Sequence, residues 1–488
     1  MTFTTLTFLL FLSAVFPLYW CAKDRFRQNV LLLFASYFFY GWWDYRFCAL
    51  MLFTSLLDYS IGLLIYKSDV LRWRRFLLLL NIICNLGVLG FFKYYHFFAD
   101  NFQLLAAPLG WHVHPVTMSI LLPAGISFYT FQAMSYTIDI YRRKMVPTTH
   151  VVEYLAFISF FPHLVAGPIM RAAHLLPQFL RPRHFCYSEA VDGCRQILWG
   201  FCKKMMVADN LAPSVDWAFA HPQALTGPQL ALATVCFAFQ IYCDFSAYSD
   251  IAIGTAKLFG FELMQNFAYP YFAPTMAEFW HRWHISLSTW FRDYVYIPLG
   301  GRYVSRWRRA LNVMITFLLS GFWHGAAWNF VVWGGLNGLA VLPATLRSAK
   351  TRAHADDGPV GGYRLPSLGT CTGMLGTFIL TCIFWTFFRA PTLADALTIL
   401  QHIGLDAFNF PVYGTLFTAL SSTCPIGRKV LLFTTVLLCA EWIQRAHPHP
   451  CTFDKWPQPV RWLAYTGLLW ATLYWGPHSP VQFIYFQF

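Results

Sequence analysis

FWHRWHISLSTWFRDYVYIPLGG (residues 279 to 301) and LSGFWHGAAWNFVVWGGLNG (319 to 338) place His281, His284 and His324, with Arg282, Arg292 and Asp293, in a chain that is otherwise strongly apolar. Polar and ionisable groups are costly in hydrocarbon, so those found there are functional candidates by default. The surrounding composition makes hydrocarbon the relevant solvent. Of 488 residues, 57% are hydrophobic, 19% aromatic and only 12% charged, outside the range of soluble domains. The sequence therefore predicts an all-α polytopic membrane protein.

Apolar runs recur at about 2 to 22, 28 to 41, 47 to 66, 76 to 98, 116 to 140, 151 to 169, 228 to 260, 310 to 346, 368 to 388, 429 to 443 and 460 to 475. Most approach the roughly 20 residues a spanning helix needs, which predicts ten to twelve crossings, some of them short or re-entrant. The first run lacks a basic leader and a small-residue cleavage site, so it reads as a retained helix. Lys23, Arg25 and Arg27 follow the first run, Lys67, Arg72, Arg74 and Arg75 the third, and Arg142, Arg143 and Lys144 the fifth. Because Lys and Arg collect in cytoplasmic loops, the N-terminus is expected outside. The same bias, with attraction to anionic membrane lipid, accounts for the net charge of +13 without nucleic acid. The thirteen cysteines include no CxxC pair and read as small buried hydrophobes.

The chain reads as one membrane domain over 1 to 488. It has a motif-dense core at 120 to 345, an extramembrane linker rich in Gly and Pro at 348 to 369, and a C-terminal helical region at 370 to 488. HPHPCTFDKWPQP (447 to 459) reads as a further loop. Between 151 and 215 the apolar stretches are cut by Pro162, Pro168, Pro177 and Pro182 and by Arg171, Arg181, Arg183, Arg195, Lys203 and Lys204. Broken backbone is tolerated at membrane depth only where protein or water covers it, so re-entrant or in-plane helices flooring a cavity are expected there.

A helix through HRWH would set His281 and His284 on one face beside Trp280 and Trp283. An interfacial helix contributing to an aromatic belt explains that stretch equally well. His324 is harder to account for in that way. It lies 15 residues beyond Arg309, about 22 Å along a helix, against a hydrocarbon core of about 30 Å. Ser320, Gly321, Gly325, Ala326 and Ala327 around it allow close approach of backbone or a thin substrate, and Trp323, Trp328 and Asn329 suggest an aromatic-lined pocket. Asp244, Ser246, Tyr248, Ser249 and Asp250 stand in another apolar run. The two carboxylates are expected to line the same cavity, to pair with its arginines, or to belong to a structural hydrogen-bond network. Arg302, Arg306, Arg308 and Arg309 form a basic stretch suited to phosphate or lipid headgroups, and equally to a positive-inside loop.

Taken together, SFYTFQAMSYTIDIYRR (127 to 143), FISFFPHLVAGPIMR (157 to 171), QIYCDFSAYSDIAIG (240 to 254), the two opening segments and FIYFQF (483 to 488) closely resemble the membrane-bound O-acyltransferase family, in its bacterial branch concerned with alginate O-acetylation. The resemblance runs nearly end to end. It implies that fold around a central channel, and it assigns the catalytic histidine to His324 and the second family histidine to His284, leaving His281 without a role. It further implies a bacterial inner-membrane protein that takes acetyl groups from cytoplasmic acetyl-CoA, with no resident cofactor or metal. The acetyl group would pass to a periplasmic SGNH-type acetyltransferase, to other polysaccharide-modification proteins, or directly to a sugar hydroxyl. Peptidoglycan O-acetylation and teichoic-acid D-alanylation are the alternatives on the same fold.

Two other classes fit less well. A di-iron oxygenase needs about eight histidines in boxes such as HxxHH, and no such box occurs here, HRWH being the nearest approach to one. A transporter predicts inverted repeats, and none is visible.

Overall fold

The computed structural model describes residues 1–110, 120–346, 366–414, 428–447, 449–454, 456–477 and 481–486, and every regular element among them is a helix. Among the described residues, five helices are long and apolar enough to cross a membrane: Arg46–Lys67, Leu71–Leu109, Gly227–Leu258, Trp328–Leu346 and Leu368–Arg389. Leu6–Cys21 and Val430–Ile443 are apolar but shorter. The chain is a multi-pass, all-α membrane protein. Most of the linker expected at 348 to 369 falls outside the described residues; the helix that follows starts at Leu368, capped by the Ser367 hydroxyl.

By internal packing the described chain forms two compact units, Met1–Cys194 with Ala252–Met264, and Arg195–Ile251 with Gln265–Phe488. The division runs through the long helix Gly227–Leu258.

The first unit shows how broken helices are tolerated. The run at 151 to 169 is split into Val151–Ser159 and Phe161–Leu164, followed by Ala172–Phe179. Each break leaves backbone groups that must find partners. Neighbouring helices supply them: the Phe161 N–H donates to the Ser36 hydroxyl (3.1 Å), Gln132 Nε2 to the Phe157 carbonyl (3.0 Å), Asn29 Nδ2 to the Phe179 carbonyl (2.9 Å) and Arg25 to the Leu180 carbonyl (2.6 Å). In the same unit the carboxylate of Asp58, fully buried, accepts from Asn81 and Asn85, and Asn81 in turn accepts from the Thr137 hydroxyl. Asp58, Asn81, Asn85 and Thr137 thus form a hydrogen-bonded cluster within the protein.

In the second unit a long apolar run forms a hairpin. The apolar run at 310 to 346 is two helices, Arg306–His324 and Trp328–Leu346, joined by a three-residue turn. Glycine permits the close packing of this hairpin. A Cβ on Gly321 would collide with the Phe330 carbonyl, and one on Gly334 with the Phe317 carbonyl, while the two glycines lie back to back. Backbone cannot yield as a side-chain tip can, so Gly321→Val should splay the hairpin and destabilise the protein by about 1–3 kcal/mol or more. A lowered thermal midpoint in detergent is the expected result; an unchanged midpoint would mean that the two backbones do not pack this closely.

Candidate active site

The site lies in the second unit and is assembled from three separate stretches. The first is the HRWH segment, which is not one continuous helix. Met276–Arg282 begins with the Thr275 hydroxyl accepting the Glu278 N–H (3.2 Å), carries an Arg282–Glu278 ion pair, and stops at Arg282. Trp283 is extended, and His284 adopts φ 43°, ψ 54° before a new helix, Ile285–Phe291, begins. His281 and His284 therefore do not share a face as the helical reading expected: His281 is exposed and His284 fully buried.

A left-handed conformation is uncommon outside Gly and costs of order 1–3 kcal/mol, so something must impose it at His284. Asn266 does so. Its carbonyl accepts the Ile285 N–H (2.9 Å), and its side-chain Oδ1 accepts from the Ser286 N–H (3.3 Å), the Ser286 hydroxyl (3.0 Å) and His284 Nδ1 (3.0 Å). A backbone N–H can only donate, so the Asn266 atom facing it is oxygen, and His284 must hold its proton on Nδ1. Nε2 is then the basic nitrogen. Burial pushes the pKa of His284, which lies outside the five spans, down to about 3, so the ring is neutral at physiological pH. Asn266, itself fully buried and donating to the Ser249 hydroxyl (3.1 Å), was not singled out in the sequence, where an isolated Asn in a loop carries no signal.

The second stretch brings His324, the last residue of Arg306–His324 and only 4% exposed. Its ring packs against Trp323 (4.9 Å between centroids), Trp333 (5.1 Å) and Phe388 (5.5 Å), and Trp333 stacks on Trp385 (5.7 Å). The third stretch is Phe483–Phe486, whose Tyr485 ring lies 5.8 Å from His324 and 6.5 Å from His284. The two histidine rings are 6.4 Å apart. Three segments, separated by 40 and 161 residues, thus meet in one aromatic box. FIYFQF was noted only as part of a resemblance; its proximity to the histidines comes from the fold.

The remaining sequence candidates are placed as follows. Trp323 lines the box, but Trp328 is 57% exposed, and the buried Asn329 donates to the Ala390 carbonyl (2.9 Å). Tyr248 packs on Phe483 (4.1 Å). The carboxylates pair with lysines, not with arginines as one expectation had it. A seven-residue π-helical stretch, Cys202–Ala208, presents Lys203 to Asp250 (2.6 Å) and Lys204 to both Asp209 and Asp244 (2.7 Å each). Lys203 also donates to the Ser246 hydroxyl (2.7 Å), and Gln196 to Asp250 (2.8 Å). Arginine is the commoner partner for a buried carboxylate, but an ammonium point charge can serve two of them from one spot. Arg302, Arg306 and Arg308 are exposed, while Arg309 donates to the Thr345 carbonyl (3.3 Å). Arg306, Arg308 and Arg309 sit at the opposite end of the helix from His324, about 22 to 27 Å away at 1.5 Å per residue, and Arg302 precedes that helix.

A model of the membrane-bound O-acyltransferase family matches residues 143–356, a range that holds both histidines. The chain is 43% identical over 345 residues to the probable alginate O-acetylase AlgI of Azotobacter vinelandii, covering 69% of this chain and 67% of that protein. It is 39% identical over 402 residues to the protein of the same name from Pseudomonas aeruginosa (81% and 73% covered). To the peptidoglycan O-acetyltransferase of Helicobacter pylori it is 34% identical over 412 residues (79% and 75%). At this identity and coverage the chain belongs to the membrane-bound O-acyltransferase family. It is an O-acyltransferase.

Proposed function

We propose that this protein moves an acetyl group from cytoplasmic acetyl-CoA across the bacterial inner membrane for O-acetylation of an extracytoplasmic polysaccharide, alginate or a similar exopolysaccharide. The observation that carries the reading is the meeting of His284 and His324, from distant motifs, at 6.4 Å in a buried aromatic box. His324 takes the proton of the acceptor hydroxyl as its oxygen attacks the thioester carbonyl. The C–S bond breaks, the proton passes to the departing CoA thiolate, and the new ester leaves. Trp323, Trp333 and Phe388 enclose the ring and keep bulk water from competing for the proton it takes up. His284, with Nε2 basic, orients the acceptor or the donor.

The donor's phosphates would contact Arg302, Arg306, Arg308 and Arg309. Arginines in the first turn of a helix oppose its macrodipole, so they do not serve the helix itself. A pantetheine arm would reach from there towards His324, and the acetyl group would leave on the other face to a periplasmic SGNH-type acetyltransferase or to a sugar hydroxyl. The 34% identity to a peptidoglycan O-acetyltransferase keeps a peptidoglycan hydroxyl as the alternative acceptor.

Sealed proteoliposomes test this directly. With acetyl-labelled acetyl-CoA outside and an SGNH-type acetyltransferase with mannuronate oligomers inside, labelled oligomer should accumulate in the lumen. The active population should be the one in which a cysteine at position 72 reacts with an impermeant maleimide from the donor side. Product confined to the donor side, or flux without acetyl-CoA consumption, would overturn the reading.

A further inference from the structure

Phe483–Phe486 contains only one 3-10 turn, Ile484–Phe486, which is too short to fix its own position. Its place beside the histidines must come from what it docks on. One face of Gly227–Leu258 supplies that dock. Phe245 packs on Tyr485 (4.4 Å) and presents its ring at 89° to His284 (4.6 Å), and Tyr248, three residues on, packs on Phe483 (4.1 Å). Ring contacts restrict distance but leave sliding and rotation open. One directional contact removes that freedom: Asp244 Oδ2 accepts the Ile484 backbone N–H at 2.8 Å, with both residues nearly inaccessible to solvent.

The acceptor is itself held. Asp244 Oδ1 faces Lys204 Nζ at 2.7 Å, and the same ammonium faces Asp209 at 2.7 Å. Lys204 thus fixes the orientation of the carboxyl group: Oδ1 is held at the ammonium, and Oδ2 is presented to the backbone N–H. An asparagine could not replace it. With one oxygen and one NH2 it would turn a donor towards either the Ile484 N–H or the ammonium.

From this arrangement we infer that Asp244 is a positioning residue, which locks Phe483–Phe486 against the His284–His324 pair through the Ile484 N–H. The inference rests on the acyl-transfer reading above for its effect on turnover. Its structural content, that Asp244 holds the segment still, stands apart from that reading.

The test uses the full chain in nanodiscs, made cysteine-free except for Gln482→Cys, an exposed position beside the segment, carrying a nitroxide. Asp244→Asn should mobilise the label and lower kcat about 10- to 100-fold, the range spanned by leaving one partner of a buried hydrogen bond unsatisfied, with a KM for acetyl-CoA close to that of the parent. Lys204 keeps Asp209 as partner in this variant, so the protein should fold. Ile484→Pro reaches the same bond from the other side by removing the N–H, along with the isoleucine side chain and the freedom of φ, and it should reproduce both effects; Ile484→Ala, which loses most of the side chain but keeps the N–H, should not. Adding Asp244→Asn to Ile484→Pro should cost nothing further. A label equally immobile in Ile484→Pro and in the parent, or additive losses in the double variant, would overturn the inference. An inactive parent protein with the expected label mobilities would instead count against the acyl-transfer reading alone.

Discussion

His324→Gln is expected to abolish acetyl transfer while leaving folded protein in the membrane. Removing a general base costs about 100- to 10,000-fold, and at this site water cannot easily stand in for it. The ring is 4% exposed and enclosed by Trp323, Trp333, Phe388 and Tyr485. Glutamine is close to histidine in volume and so avoids the cavity that alanine would leave. The loss should fall on kcat, with acetyl-CoA binding close to normal, because the proposed phosphate contacts lie at the other end of the helix. His324→Ala should be equally inactive and less stable. Turnover near wild type in either variant would remove His324 from the mechanism.

The second large effect is expected at His284 and should be reproduced from Asn266. His284→Ala should lower kcat by about 100-fold or more, with donor binding partly retained. Asn266→Ala should approach the same loss with both imidazoles still present. It removes the acceptor that fixes the Nδ1 proton and the left-handed backbone, freeing the ring to change tautomer and position. A stability measurement separates the two roles of the position. His284→Gly should be as inactive as His284→Ala yet no less stable, since glycine takes φ 43° without strain. His281→Ala should behave as wild type, its side chain being exposed and outside the aromatic box. A dead His281→Ala beside an active His284→Ala would reverse the assignment.

The sequence made the membrane class legible because that property is summed over many residues. Apolar runs of near-spanning length survive any local misreading, and the helices found at Arg46–Lys67, Gly227–Leu258 and Leu368–Arg389 fall where the runs do. His324 was legible for a related reason: an imidazole inside an apolar run is anomalous whatever the fold. The broken stretch after residue 150 announced itself through its prolines and charges.

What the sequence could not supply was where a helix stops without a local signal, and which distant group answers a buried charge. HRWHIS has the pattern of an amphipathic helix, and the apolar run from 310 to 346 shows no polar break where its helix turns. Each is broken at its histidine: at His284 by hydrogen bonds accepted by Asn266, 18 residues upstream, and after His324 by a turn that lets Gly321 meet Gly334. Likewise Asp244 and Asp250 needed partners on any reading, but only the fold selects Lys204 and Lys203 and lends Asp244 to the Ile484 N–H. Burial sets the demand for a partner, and that follows from composition. Which partner meets it depends on geometry between segments far apart in the chain, and so only the tertiary structure decides it.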